Sequence, residues 1–242
     1  MFRSLLKGLA DLIYPRVCLA CKAHIKGAPS IDELVCMQCW AKIKKNEPPF
    51  CHCCGKHLDK KTPAKNICPR CLKRNLYFDR AFSPCVYEGT IKELIHEFKY
   101  RDKEYLGKVL GRIMCEFITS HDLPIEYVDA VVPVPLHKAK LREREFNQAE
   151  ILGKEVSSRF GKAMITGALA RHKATKAQAD LQEQQRFINM KDSFRVIDQK
   201  AIKEKNLLLI DDVLTTGATA SQAALALKNA GARIVFVLTL AN

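Results

Sequence analysis

The chain has 242 residues and a net charge of +14 at pH 7. That length suits one full domain plus a small one. No apolar run approaches the roughly 20 residues needed to cross a bilayer, so the pattern excludes a transmembrane helix.

The first fifteen residues, MFRSLLKGLADLIYP, place Phe2, Leu5, Leu6, Leu9, Leu12 and Ile13 at helical spacing. A secretory signal would have a longer clean apolar centre, so none is read here. The expectation is a short helix packed on the cysteine-rich segment after it; an anchor lying on a membrane surface is the competing reading. Eleven cysteines are present in the chain, and eight form CxxC pairs: Cys18/Cys21, Cys36/Cys39, Cys51/Cys54 and Cys68/Cys71. Without a secretory signal a disulfide framework is not expected. Paired CxxC turns supply four soft ligands to a tetrahedral ion, and the spacing predicts two structural Zn²⁺ sites. Sequential pairing gives Cys18, Cys21, Cys36, Cys39 for one ion and Cys51, Cys54, Cys68, Cys71 for the other. Interleaved pairing is also compatible with spacing, and Cys53, His52 or His57 are alternative ligands. Cys85 and Cys115 fall in apolar stretches and read as core.

Charge is uneven along the chain. Residues 1–78 hold 15 Lys+Arg against 5 Asp+Glu, and residues 79–242 hold 25 against 21. Lys42, Lys44, Lys45, Lys56, Lys60, Lys61, Lys65, Arg70, Lys73 and Arg74 stud the knuckles, with Trp40, Phe50, Tyr77 and Phe78 interleaved. Cations with stackable rings suit single-stranded nucleic acid. The alternative is a soluble basic surface whose rings serve as core.

The link LKRNLYFDR divides the chain into residues 1–78 and 79–242. Beyond it the pattern is α/β. SPCVYEG reads as a strand, and TIKELIHEFKY and EYLGKVLGRIMCEFITSH read as helices. YVDAVVPVPL is a strand, and FNQAEILGKEVSSRFG is a helix ending at Gly161. LLLIDDV and RIVFVLTLA complete the strands. Apolar strands alternating with helices predict a parallel sheet covered on both faces, with ligands beyond the strands' carboxyl ends.

Three segments at such ends look chemical. In LLLIDDVLTTGAT, residues 207–219, the strand carries Asp211 and Asp212 before a small polar loop and a helix N-terminus. Loop amides and hydroxyls suit a phosphate at the positive end of the helix. The carboxylates suit ribose hydroxyls and Mg²⁺ through water. This string resembles the phosphoribosyl-pyrophosphate (PRPP) loop of type I phosphoribosyltransferases. Residues 132–149 crowd Lys138, Lys140, Arg142 and Arg144 after a strand, as a pyrophosphate would need. Residues 171–189, with Arg171, Thr175, Gln178, Arg186 and Asn189, read as a lid over a phosphosugar. A solvated basic loop is the alternative for each of these last two.

Taken together the pieces resemble the competence protein F (ComF, or GntX-like) family across nearly the whole chain. They occur in the family's order: CxxC knuckles, a Tyr-Glu-Gly strand end, the Lys of HEFKY, VPVPL, RxRxFNQA, R-x3-T-x2-Q-x2-L, an RxxN pair and DDVxTTGAT. The resemblance implies an α/β fold with a type I phosphoribosyltransferase-like parallel sheet flanked by helices, joined to a small N-terminal cysteine-rich zinc module. It implies that Asp211 and Asp212 bind ribose, and would be the catalytic pair of an active enzyme. Thr215, Thr216, Gly217, Ala218 and Thr219 would cradle the 5′-phosphate. Lys138, Arg142, Arg144, Asn147, Arg171 and Gln178 would face PRPP and its pyrophosphate, with Mg²⁺ as the accompanying ion. One departure is that Glu145 stands where the family usually has Gly, a residue suited to positive φ.

The family's association is with natural transformation, in which imported single-stranded DNA is handled in the bacterial cytosol. The expected function is therefore cytoplasmic DNA handling, with contacts to single-stranded DNA through Lys42, Lys44, Lys45, Lys60, Lys61, Lys65, Arg70, Lys73 and Arg74. Import machinery at the inner face of the membrane is an expected partner. The alternative is a working transferase that displaces pyrophosphate from PRPP with Mg²⁺ and an unidentified base or amine.

Overall fold

The computed structural model describes residues 16–25, 29–59, 66–99, 103–173 and 183–242. The helix expected over residues 1–15 lies outside them. In the cysteine-rich part the chain makes little regular structure. A two-residue pair, β1 (Ser30–Ile31) against β2 (Val35–Cys36), leads into α1 (Met37–Ala41), and α2 (Pro69–Leu72) follows the last CxxC start. Both helices begin one residue after a cysteine, and Pro69 suits the first helical position because its missing N–H would be unsatisfied there anyway.

The rest is built on five parallel strands: β3 (Arg80–Phe82), β4 (Ala130–Pro133), β5 (Ala163–Met164), β8 (Asn206–Val213) and β9 (Ile234–Ala241). They lie in the order β3-β9-β8-β4-β5. Strand side chains alternate between faces, and here both sets are apolar because both faces are covered. Leu208, Ile210, Leu238 and Leu240 pack beneath α3 (Gly89–Phe98), α4 (Leu106–Ser120) and α6 (Gln148–Phe160). Leu207, Leu209, Val235 and Val237 pack beneath α8 (Ala218–Asn229), whose buried side is largely alanine. A separate antiparallel pair, β6 (Leu169–Arg171) with β7 (Phe194–Val196), stands outside the sheet beside α7 (Glu183–Met190).

The expected strands and helices of the sheet are present, with three differences. SPCVYEG is not a strand: pairing runs over Arg80–Phe82, and beyond it only Cys85 bridges to Lys45 and Ala241. Pro84 has no N–H to donate, so the ladder breaks there. The basic segment after β4 folds as α5 (Lys138–Arg144), capped by the His137 side chain accepting from the Ala139 amide. β5, β6 and β7 are too short to leave a readable period. Gly161 ends α6 at φ +62°, as expected.

Candidate functional site

β8 continues through Asp211 and Asp212, so alternation sends the two carboxylates to opposite faces. Asp212 meets Lys99, the C-cap of α3, with Nζ to Oδ2 at 2.8 Å. Both side chains are largely buried, at 23% and 14% exposed. Burial opposes the charge on Lys99, but the Asp212 carboxylate outweighs it and holds the ammonium above its usual range. Asp211 feels Arg171, at the end of β6. Burial, and then the charge of Asp212, push the Asp211 carboxyl up to about 7. The Asp212 amide, which donates to Asp211 Oδ1 at 2.9 Å, and the cations Lys99 and Arg171 pull the other way. Arg144 adds its field to both Lys99 and Arg171. Burial lowers Arg171, whose guanidinium lies over the Phe194 ring at 5.8 Å.

The polar loop comes directly after β8. Gly217 adopts φ +80° and caps α8, a conformation that a side chain would strain. Ala218 N donates to Thr216 Oγ1 at 3.3 Å. Thr215 is exposed, while Thr216 and Ala218 are buried. The acidic pair, the loop and the positive end of a twelve-residue helix therefore lie together at the carboxyl edge of the sheet, an arrangement suited to a sugar phosphate.

The expected pyrophosphate residues divide. Arg171 acts on Asp211, and Arg144 acts on Lys99 and Arg171 while donating Nη1 to Gln148 Oε1 at 2.9 Å, whereas Lys138 and Arg142 are exposed on α5. Asn147 is 5% exposed and is used by the protein itself: Oδ1 caps α6 by accepting from Ala149 N at 3.1 Å, and Nδ2 donates to Val134 O at 3.1 Å. Thr175 and Gln178 lie outside the described residues. Glu145 adopts φ +68°, so the position requires the left-handed backbone that a Gly would supply. Lys99 has no role assigned from sequence alone. Its only signal is the Lys of HEFKY, 113 residues before Asp212 in the chain.

The cysteine sulfurs settle the pairing. Cys18, Cys21, Cys36 and Cys39 lie within 4.8 Å of one another, as do Cys51, Cys54, Cys68 and Cys71. Cys21–Cys36 at 4.0 Å and Cys54–Cys68 at 3.8 Å approach the edge of a tetrahedron with Zn–S of about 2.3 Å. Amides support the sulfurs: Cys36 N donates to Cys18 Sγ at 3.4 Å and Cys68 N to Cys51 Sγ at 3.3 Å. Burial would raise the Cys18 thiol, but the Cys21, Cys36 and Ala20 amides bring it down to about 6. Thiol hydrogen bonds from Cys54 and Cys71 draw Cys51 well below its ordinary value. These donor sets fit two four-thiolate zinc ions. Cys53 and His52 stand outside both quartets, and His57 Nδ1 engages Glu47 O at 2.7 Å.

Lys42, Lys44, Lys45, Arg70 and Lys73 are exposed, and Lys44 pairs with Glu88 at 2.9 Å. Lys60, Lys61 and Lys65 lie outside the described residues. The rings mostly serve packing: Phe78 is buried, Trp40 and Phe50 lean on the core, and Tyr77 is 43% exposed. Arg74 is turned inward, donating Nη1 to Thr216 O at 2.9 Å. A small cleft lies between the second knuckle and the loop, walled by Lys56, Arg70, Arg74, Thr215 and Thr216.

Residues 9–72 match the double zinc ribbon domain family. Competence protein F of Haemophilus influenzae is 26% identical over 230 residues, covering 93% of this chain and 96% of that protein. The DNA utilization protein YhgH of Salmonella typhimurium is 27% identical over 205 residues, covering 84% and 88%. The chain is similar to these competence and DNA-utilization proteins over most of its length. A weaker likeness is to the glutamine PRPP amidotransferase of B. subtilis, at TM-score 0.35 and 17% identity. It covers 56% of this chain, which spans about a quarter of the length of that solved structure. No helix among the described residues is long and apolar enough to cross a membrane.

Proposed function

We propose that this protein handles single-stranded DNA taken up in natural transformation, and that its sheet domain binds PRPP or a related phosphoribosyl ligand. The observation that carries the reading is the pairing of a competence-type sequence with an acidic pair set beside a small polar loop at a helix N-terminus. Asp211 and Asp212 would accept from ribose hydroxyls, and the loop from Thr215 to Thr219 would hold the 5′-phosphate. Arg144, Arg171 and Lys99 supply positive charge near a departing or resting pyrophosphate. The exposed cations Lys42, Lys45, Arg70 and Lys73 would contact DNA phosphates, with the function placed in the cytoplasm. We place the boundary between the zinc module and the phosphoribosyltransferase-like domain at residues 78–79.

Binding without turnover is the reading the geometry favours. Asp212 already has a cation partner in Lys99, so a Mg²⁺ ion would compete with that ammonium for the carboxylate. The test is fluorescence anisotropy of a labelled single-stranded oligonucleotide against the full chain across a salt series. Binding that weakens steeply with salt supports phosphate contacts. No binding at low salt would overturn the DNA-handling reading and make pyrophosphate release from PRPP the next assay.

A further inference from the structure

The second zinc ribbon and the link after it meet the sheet domain through several independent bonds, and one of them, from Arg74, reaches the polar loop. Arg74 stands three residues after Cys71, and its position is fixed by its own amide donating to Cys71 O at 3.2 Å. Its Nη1 reaches across to Thr216 O at 2.9 Å, and its guanidinium lies over the Phe187 ring at 5.7 Å. Three residues further on, Tyr77 N donates to Ser221 Oγ at 3.1 Å, in the first turns of α8. Ser221 is fully buried. Asn242 Nδ2 donates to Cys54 O at 3.2 Å, and Ala81 N to Cys53 O at 2.7 Å, tying the knuckle to the sheet. Leu76 and Phe78 close against Gly217, where an added Cβ would sit 3.5 Å from Leu76 and 3.7 Å from Phe78.

A peptide unit is planar and trans, so the carbonyl of one residue and the amide of the next point in opposite directions. Holding Thr216 C=O toward the ribbon therefore directs Gly217 N–H away from it. Gly217, at φ +80°, is free of the Cβ restraint that would otherwise limit the peptide's rotation. The bond to Arg74 thus supplies an orientation that the loop's own sequence leaves open. An anion held by the loop amides depends on that orientation, since preset donors avoid the ordering cost on binding.

We infer that Arg74 is a positioning residue: from the second ribbon it fixes the Thr216–Gly217 peptide so that the loop is preset for the phosphate of a phosphoribosyl ligand. The inference rests on the phosphoribosyl reading for its ligand, while the clamp itself is a property of the apo protein. It gives Arg74 a role different from the DNA contact expected from sequence. It also makes the ribbon a part of the phosphate site.

The test uses the full zinc-loaded chain carrying Arg74→Met or Arg74→Lys. PRPP is titrated by calorimetry, with zinc content and thermal midpoint measured alongside. A charged hydrogen bond is worth enough to predict PRPP binding about tenfold weaker in Arg74→Met, with zinc content kept. Arg74→Lys retains a cationic donor without the planar fork and should show a smaller loss. Unchanged affinity in Arg74→Met would overturn the inference. If the unsubstituted chain fails to bind PRPP, the phosphoribosyl reading falls, and the clamp is read by amide exchange. Exchange at Gly217 and Ala218 should then accelerate in Arg74→Met. If that variant fails to fold, faster exchange in Arg74→Lys is the expected result. Unchanged exchange in whichever variant is folded would overturn the clamp.

Discussion

The two cysteine quartets have the same ligands and nearly the same spacing, yet they support different parts of the molecule. The first is an extension of the main core: Cys18 and Cys39 are buried together with Phe82, Leu94 and Met114. Ion pairs fasten it to the helical face, with Lys22 to Glu97 at 2.7 Å and Arg112 to Asp32. The second has a small core of its own, in which three of the four buried members, Cys51, Cys68 and Cys71, are ligands and the fourth is Leu58. The link after it reaches the polar loop through Arg74 and the following helix through Tyr77. Where apolar residues are few, ligand geometry replaces the packing that a larger core would supply. The comparison teaches that one metal motif can extend the main core in one copy and, on the role inferred for Arg74, support a site in the next.

The largest effects should come from removing a ligand. Metal analysis is expected to find two zinc ions per chain, and Cys21→Ser or Cys71→Ser should each leave one. A structural zinc contributes on the order of 10 kcal/mol, so each ribbon should lose its local order. Only Cys71→Ser should also weaken PRPP binding, by more than about tenfold; equal losses in both variants would erase the distinction drawn between the quartets. Next in size is Gly55→Ala in the second knuckle. At φ +69°, an added Cβ would lie 2.4 Å from Ala81 O, which is backbone and cannot move away cheaply. Thermal unfolding should show a loss of about 2–3 kcal/mol.

Asp211 gives a pH signature within the sheet domain. Its folded pKa, about 7, is above its ordinary value of 3.8. The folded state therefore holds a proton that the unfolded chain has released, and stability falls as pH rises between those values. Asp211→Asn should remove that slope and stabilise the apo protein at pH 8, by on the order of 2–4 kcal/mol in urea unfolding. A slope that survives the substitution would assign it to other groups. The smallest effect is expected at Glu145, which holds φ +68°. Glu145→Gly should relieve the left-handed strain and add about 0.5–1 kcal/mol. A destabilised variant would mean that the side chain's own contacts outweigh the backbone.

Much of this is legible in the chain because it is contiguous. Asp211, Asp212 and the loop through Thr219 are neighbours in sequence, and a buried strand joined to a helix can place them in few ways. CxxC pairs are local, and four in a row leave little besides metal. Pairing between them stays open until the sulfur positions are known, since spacing constrains distance along the chain and says nothing of partners. Lys99 and the inward turn of Arg74 are not legible, because each is a contact across the tertiary structure. Asn147 is placed near the pyrophosphate by the resemblance alone, and the structure shows it capping α6. Likewise the sequence leaves Trp40, Phe50 and Phe78 open between stacking surfaces and core, and the structure packs them.

The most direct test of the account is calorimetric titration of PRPP into the full chain and into the Asp211→Asn, Asp212→Asn double variant. The account predicts measurable binding by the first and none by the second, with zinc content and cooperative unfolding retained in both. Equal affinity in the two proteins would contradict the placement of a ribose beside these carboxylates.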